Sequence, residues 1–132
     1  MRVGIVVNPD AGLGGRLGFK GSDGRAKEAR DAGAQDRAGP RMRQCLGKFT
    51  ELLKSSLNRD NINPELFAWE GRMGGDWIGT EYQIIDTTPE TTSANDTAEL
   101  VKQLLNLNVD VILYAGGDGT TRDIVNALEE HK

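Results

Sequence analysis

One cysteine and one histidine in 132 residues leave little room for several familiar chemistries. Cys45 has no second thiol to pair with, and His131 stands beside the last residue of the sequence. Both facts argue against an internal disulfide, a Cys/His zinc site and a Ser-His-Asp triad. Aromatic residues make only 5% of the chain and the sequence pI is near 5.0, a combination that disfavours a nucleic-acid groove. Long apolar runs are missing too. Met1 to Pro9 is too short for a signal peptide and nothing approaches membrane-spanning length, so the expected location is cytoplasmic with no membrane span.

The length suits one domain, which buries roughly two-thirds of the surface of its unfolded chain. Charge is uneven. Residues 1–48 carry 10 basic and 5 acidic side chains, net +5, whereas residues 49–132 carry 6 and 15, net −9. An anionic small molecule near the N-terminal half fits this balance better than a polyanion does. For Arg25, Lys27, Arg30, Arg37, Arg41 and Arg43 a phosphate contact and a merely solvated helix face stay equally open.

Val3–Val7 is a β-branched run closed by Asn8-Pro9 and reads as a buried strand. A loop with glycine at 12, 14, 15, 18, 21 and 24 follows, then a weak helix over 25–34 that Gly33 and Gly39-Pro40 break. Met42, Cys45, Leu46, Phe49, Leu53 and Leu57 recur at helical spacing and predict an amphipathic helix. Leu66–Glu70 and Tyr82–Asp86 read as short strands, joined through Gly71, Gly74, Gly75 and Gly79 by a flexible connection. Ser93 followed by Asp96 has the pattern of a helix start, with Ala98, Val101, Leu104 and Leu105 as the buried stripe. Val109–Ala115 is the most apolar strand, and a last helix carries Ile124, Val125 and Leu128. Strands alternating with helices imply an α/β fold with an open, mainly parallel, helix-covered sheet.

Two common phosphate motifs fail. Gly12 and Gly14 lead to Leu17, and Gly117 and Gly119 lead to Arg122, so neither set completes a Rossmann fingerprint. Phe19-Lys20-Gly21-Ser22 lacks the P-loop spacing. What remains is a strand, the turn Gly116-Gly117-Asp118-Gly119-Thr120, and a helix. Ligands of open α/β sheets bind beyond the carboxyl ends of strands, where a helix start presents unpaired N–H groups. Glycines there remove each Cβ that would hold a phosphate away. An aspartate in such a turn repels phosphate by on the order of a kcal/mol, so Asp118 needs a role. It either takes or orients the proton of an attacking hydroxyl, or helps hold magnesium, or simply caps the helix.

The turn resembles the GGDGT signature of the superfamily joining NAD kinases, diacylglycerol and sphingosine kinases, and 6-phosphofructokinases. Residues 122–128 and the opening Gly4-Ile5-Val6-Val7-Asn8-Pro9-Asp10-Ala11-Gly12 are similar to the same kinases. The loop over 12–24 resembles the ATP-NAD kinase-like branch related to acetoin-catabolism protein X. The resemblance implies a Rossmann-like N-terminal domain with an additional β-rich C-terminal domain that the 132 residues do not include. It implies ATP or polyphosphate as donor with Mg2+, and NAD as acceptor. Asp118 would meet the acceptor hydroxyl, while Gly116, Gly117, Gly119 and Thr120 line the nucleotide phosphates with Asn8 beside them. Arg16 and Lys20 are added from charge and loop position as possible phosphate contacts; the metal ligands stay unknown, and a homo-oligomer is compatible. A diacylglycerol or lipid kinase-like domain and a non-catalytic nucleotide-binding regulatory module are the alternatives, and the chain alone is not expected to complete catalysis.

Overall fold

The computed structural model describes residues 1–12 and 36–131. The glycine loop beyond Gly12, the helix expected over 25–34, Arg16 and Lys20 lie outside the described residues.

Four strands, β1 (Arg2–Val7), β2 (Glu65–Glu70), β3 (Gln83–Thr87) and β4 (Val111–Ala115), form one sheet in the order β3-β2-β1-β4. All three pairings are parallel. Parallel neighbours need crossovers: helix α1 (Ala38–Leu53) lies between β1 and β2, a single 3-10 turn between β2 and β3, and α2 (Ala94–Asn106) between β3 and β4, while α3 (Asp118–Glu130) follows β4. This is the α/β architecture that the alternating sequence pattern implies. One core lies between α1 and the sheet, built on Val3, Ile5, Val7, Met42, Leu46 and Trp77. The other lies beneath α2 and α3, built on Val6, Phe67, Trp69, Leu100, Leu104 and Ile124. Central β1 feeds both, and Val3 through Val7 are all buried because a middle strand covered on both faces has no solvent side.

Several boundaries differ from the sequence reading for physical reasons. α1 begins at Ala38, so Gly39 and Pro40 sit inside its first turn rather than breaking the chain. A proline there forfeits no hydrogen bond, since first-turn N–H groups have no acceptor within a helix. Cys45 is exposed and Leu57 lies beyond the helix; the buried face is Ala38, Gly39, Met42 and Leu46. The connection over 71–79 is packed, not flexible: Met73 is fully buried, and Trp77, in a single 3-10 turn (Gly75–Trp77), donates its indole N–H to the Arg72 carbonyl at 2.7 Å.

The Ser93 start of α2 is a full capping box with Asp96, whose carboxylate accepts the Ser93 N–H at 2.8 Å. Its end is a Schellman motif. Asn108 adopts φ 56°, and the N–H groups of Asn108 and Val109 reach back to the carbonyls of Leu105 and Leu104. β4 is shorter than expected and only partly buried, because it is an edge strand. On α3 the buried residues are Thr120, Ile124 and Ala127, while Val125 and Leu128 are exposed.

Candidate functional site

Registry places the two motif-bearing strand ends side by side. Val7 pairs with Ala115, and the ladder runs one residue further as the Asn8 N–H donates to the Ala115 carbonyl at 3.0 Å. Asn8 therefore sits next to Gly116, as expected from two neighbouring parallel strands. Beyond β1 the chain turns at once. The Asp10 N–H donates to Asn8 Oδ1 at 3.1 Å and the Ala11 N–H to the Asn8 carbonyl at 3.1 Å, an Asx-type turn in which the asparagine holds its own loop. Gly12 follows with φ +79°, in the left-handed region that glycine enters without a Cβ penalty.

The other end of the Asn8 amide crosses to α3, where Nδ2 donates to Thr120 Oγ1 at 2.8 Å. Thr120 is 2% exposed. Its hydroxyl is buried and engaged by Asn8. A Cβ on Gly116 would lie 2.4 Å from that same hydroxyl oxygen, so glycine at 116 allows the close approach of Thr120. Gly117 is different. A Cβ there meets nothing within 4 Å, and the residue is exposed with extended backbone as the N-cap of α3.

Asp118 occupies the first helical position and is exposed. No side-chain cap hydrogen bond exists at this terminus, so the capping reading of Asp118 fails; the Gly117 carbonyl receives the Thr121 N–H at 3.0 Å. The Thr121 hydroxyl donates to the Gly117 carbonyl at 3.2 Å and meets the Tyr114 hydroxyl at 2.8 Å. Gly119 lies in the exposed first turn. The N–H groups of residues 118–120 thus have no acceptor within the helix, at a terminus that also carries the exposed Asp118 carboxylate.

A second polar group joins the strand ends and was not visible in the sequence. Asp10 pairs with Arg72 at 3.2 Å and accepts a hydrogen bond from the Thr92 hydroxyl at 3.3 Å. Three loops, after β1, after β2 and before α2, are tied through one carboxylate. The three residues are far apart in sequence, and only strand order brings them together. No group of three or more His, Cys, Asp and Glu side chains suited to a metal occurs among the described residues. One carboxylate beside unpaired N–H groups fits a magnesium ion carried on nucleotide phosphates, since this ion keeps water and phosphate ligands and needs few from protein.

A cleft of about 430 Å3 opens at the same sheet edge, between the start of α1 and the end of β4. Its lining includes Gly12, Arg37, Arg41, Met42, Tyr114 and Gly117. Among the described residues no helix is long and apolar enough to cross a membrane.

With this geometry in view, the comparison with known families is informative. The strand-turn-helix at the site is shared with kinases: residues 78–132 match the diacylglycerol kinase catalytic domain. The match is in line with the resemblance to NAD kinases and diacylglycerol kinases read from the motifs. The match supports a phosphotransferase in general, and such kinases use a nucleotide and an acceptor. Among curated proteins and solved structures, nothing matches.

Proposed function

We propose that the chain is the nucleotide-binding region of an ATP-dependent kinase of the NAD kinase-like type. The terminal phosphoryl group of ATP passes to a ligand hydroxyl, with NAD as the acceptor. A bond forms between the acceptor oxygen and the terminal phosphorus, the bond to the β-phosphate oxygen breaks, and ADP leaves. Asp118 receives or orients the hydroxyl proton, and the N–H groups around Gly117, Gly119 and Thr120 hold phosphate oxygens. Magnesium neutralises phosphate charge when bound. Asn8 acts through Thr120, keeping the turn against the end of β1. The acceptor pocket belongs to a β-rich second unit, as the resemblance implies.

The observation that carries the reading is the unpartnered carboxylate of Asp118, the first residue of a helix whose N-cap, Gly117, opens to solvent. A capping role would have engaged it. A lipid kinase is the second reading, favoured by the family whose model matches residues 78–132. Incubation of the enzyme completed by the β-rich second unit with ATP labelled at its terminal phosphate, magnesium and either NAD or diacylglycerol separates them. Labelled NADP supports the first reading, labelled phosphatidate the second, and label in neither product counts against both acceptors.

A further inference from the structure

Among the described residues, the cleft beside Gly117 is lined by charge of one sign only: Arg37 and Arg41 contribute to its wall and no described Asp or Glu does, in a protein whose acidic side chains outnumber its basic ones by 20 to 16. Three other described arginines are occupied, whereas Arg59 and Arg122 lie outside the cleft lining. Arg43 lies over the Trp77 ring at 5.1 Å and donates to the Asp76 carbonyl at 3.0 Å, Arg72 pairs with Asp10, and Arg2 pairs with Glu65. Among the described residues Arg37 and Arg41 have neither an ion pair nor a side-chain hydrogen bond. They stand four apart on one helical face, a spacing at which like charges repel. Such a pair is stabilised by a shared anion. The Arg37 stem is also placed: its Cδ lies 3.2 Å from where a Gly12 Cβ would be, so the turn after β1 packs along it.

We propose that Arg37 and Arg41 form the cationic wall of a polyphosphate site, gripping the phosphate chain of the nucleotide from the side opposite Gly116 and Gly117. This rests on the kinase reading for the identity of the ligand and deepens it by naming the residues that carry its charge. Guanidinium groups bind phosphate oxygens in pairs of hydrogen bonds. The remaining lining, Met42, Leu113 and Ala115, gives the cleft an apolar floor. Its volume falls in the range of about 300–1,000 Å3 usual for small-ligand clefts.

The test measures binding of inorganic tripolyphosphate, ATP with magnesium, and adenosine by calorimetry to the wild-type chain and to Arg41→Gln, Arg37→Gln and the double variant. Arg59→Gln, exposed and outside the cleft lining, is a control with the same change in net charge. Thermal unfolding checks that each variant folds. Tripolyphosphate affinity should fall about tenfold in Arg41→Gln and further in the double variant, with adenosine binding and Arg59→Gln unchanged. Wild-type affinity in the double variant, an equal loss in Arg59→Gln, or no tripolyphosphate binding by the wild type would overturn the proposal. Phosphoryl transfer from ATP, followed in parallel in the enzyme completed by its β-rich unit, separates it from the kinase reading. Arginine-dependent tripolyphosphate binding without transfer leaves the cleft standing and removes the kinase, and transfer that survives both substitutions does the reverse.

Discussion

Thr120→Val replaces a hydroxyl by a methyl group of nearly the same size at a site only 2% exposed, so packing is kept and one hydrogen bond is lost. The bond is Asn8 Nδ2 to Thr120 Oγ1 at 2.8 Å. Its removal leaves an amide donor facing a methyl group. Because Asn8 is half-buried and part of its amide reaches water, the cost belongs in the lower part of the range for an orphaned donor, about 1–2 kcal/mol. At about 2.1 cal/mol/K of unfolding entropy per residue, 132 residues convert this to a fall in Tm of about 4–7 °C. Thr120→Ser keeps the acceptor and should lose less. Calorimetry of both variants, with an Asn8→Ala/Thr120→Val double-mutant cycle, gives the coupling directly. A cycle with no coupling, or serine and valine variants that unfold together, would show that the Asn8 amide does not hold α3 against β1. ATP affinity should follow stability here, since the same bond holds the helix start whose N–H groups around Gly117 are proposed to meet phosphate.

Three further outcomes test other parts of the account. Asp118→Asn should leave Tm nearly unchanged, because the carboxylate makes no cap bond, while turnover in the active enzyme falls about 100-fold or more; near-normal turnover would refute the proton-handling role. Gly39→Ala should destabilise by about 1–3 kcal/mol or more, since a Cβ there would sit 2.1 Å from a Trp77 ring carbon; urea unfolding at wild-type midpoint would contradict that contact. Burial, aided by the charges of Glu70 and Asp76, raises the Tyr82 phenol above its ordinary value of 10.0. The unfolded chain then ionises first, so the stability from this group is whole below pH 10 and lost as pH rises through the folded value. Tyr82→Phe should flatten that part of the alkaline decline in urea titrations, and an identical decline in both proteins would exclude Tyr82 as its source.

The sheet was largely legible because each strand announces itself locally. Val3–Val7 is closed by Asn8-Pro9, and the Ser93 capping box fixes the start of α2 to the residue. Legibility failed where a residue's meaning depends on a distant partner. Gly39 and Gly74 look like breaks in sequence, yet one accommodates the Trp77 ring and the other the Ala68 methyl. Val125 and Leu128 look like core, yet α3 turns Thr120, Ile124 and Ala127 inward, a phase set by the Asn8 bond to Thr120. Asn8, Gly116 and Asp118 could be placed from motif and strand order. The Asp10–Arg72–Thr92 group and the separation of Arg37 and Arg41 from the occupied Arg43 could not, because no local pattern distinguishes a paired arginine from an unpaired one.

The position of the cleft follows from how the described elements cover the sheet. Helices α2 and α3 share one face, and α1 with the short turn around Trp77 covers the other. α1 packs Met42 and Leu46 against the β1 and β2 side chains Val3, Ile5, Val7, Leu66 and Ala68, while Leu113 and Ala115 of β4 stay only partly buried. The space above those two residues is therefore bounded by helix α1 on one side and by the Gly116-Gly117 turn at its end. Two arginines without acidic partners stand on the first wall and an exposed aspartate just past the second. Arginines on one wall and a carboxylate just past the other suit a nucleotide that presents anionic phosphates to the arginines and an acceptor that brings a neutral hydroxyl to Asp118. An anion held only by the arginines would gain nothing from Asp118, and a neutral acceptor alone would leave the arginines uncompensated. A nucleotide and a hydroxyl acceptor together satisfy both.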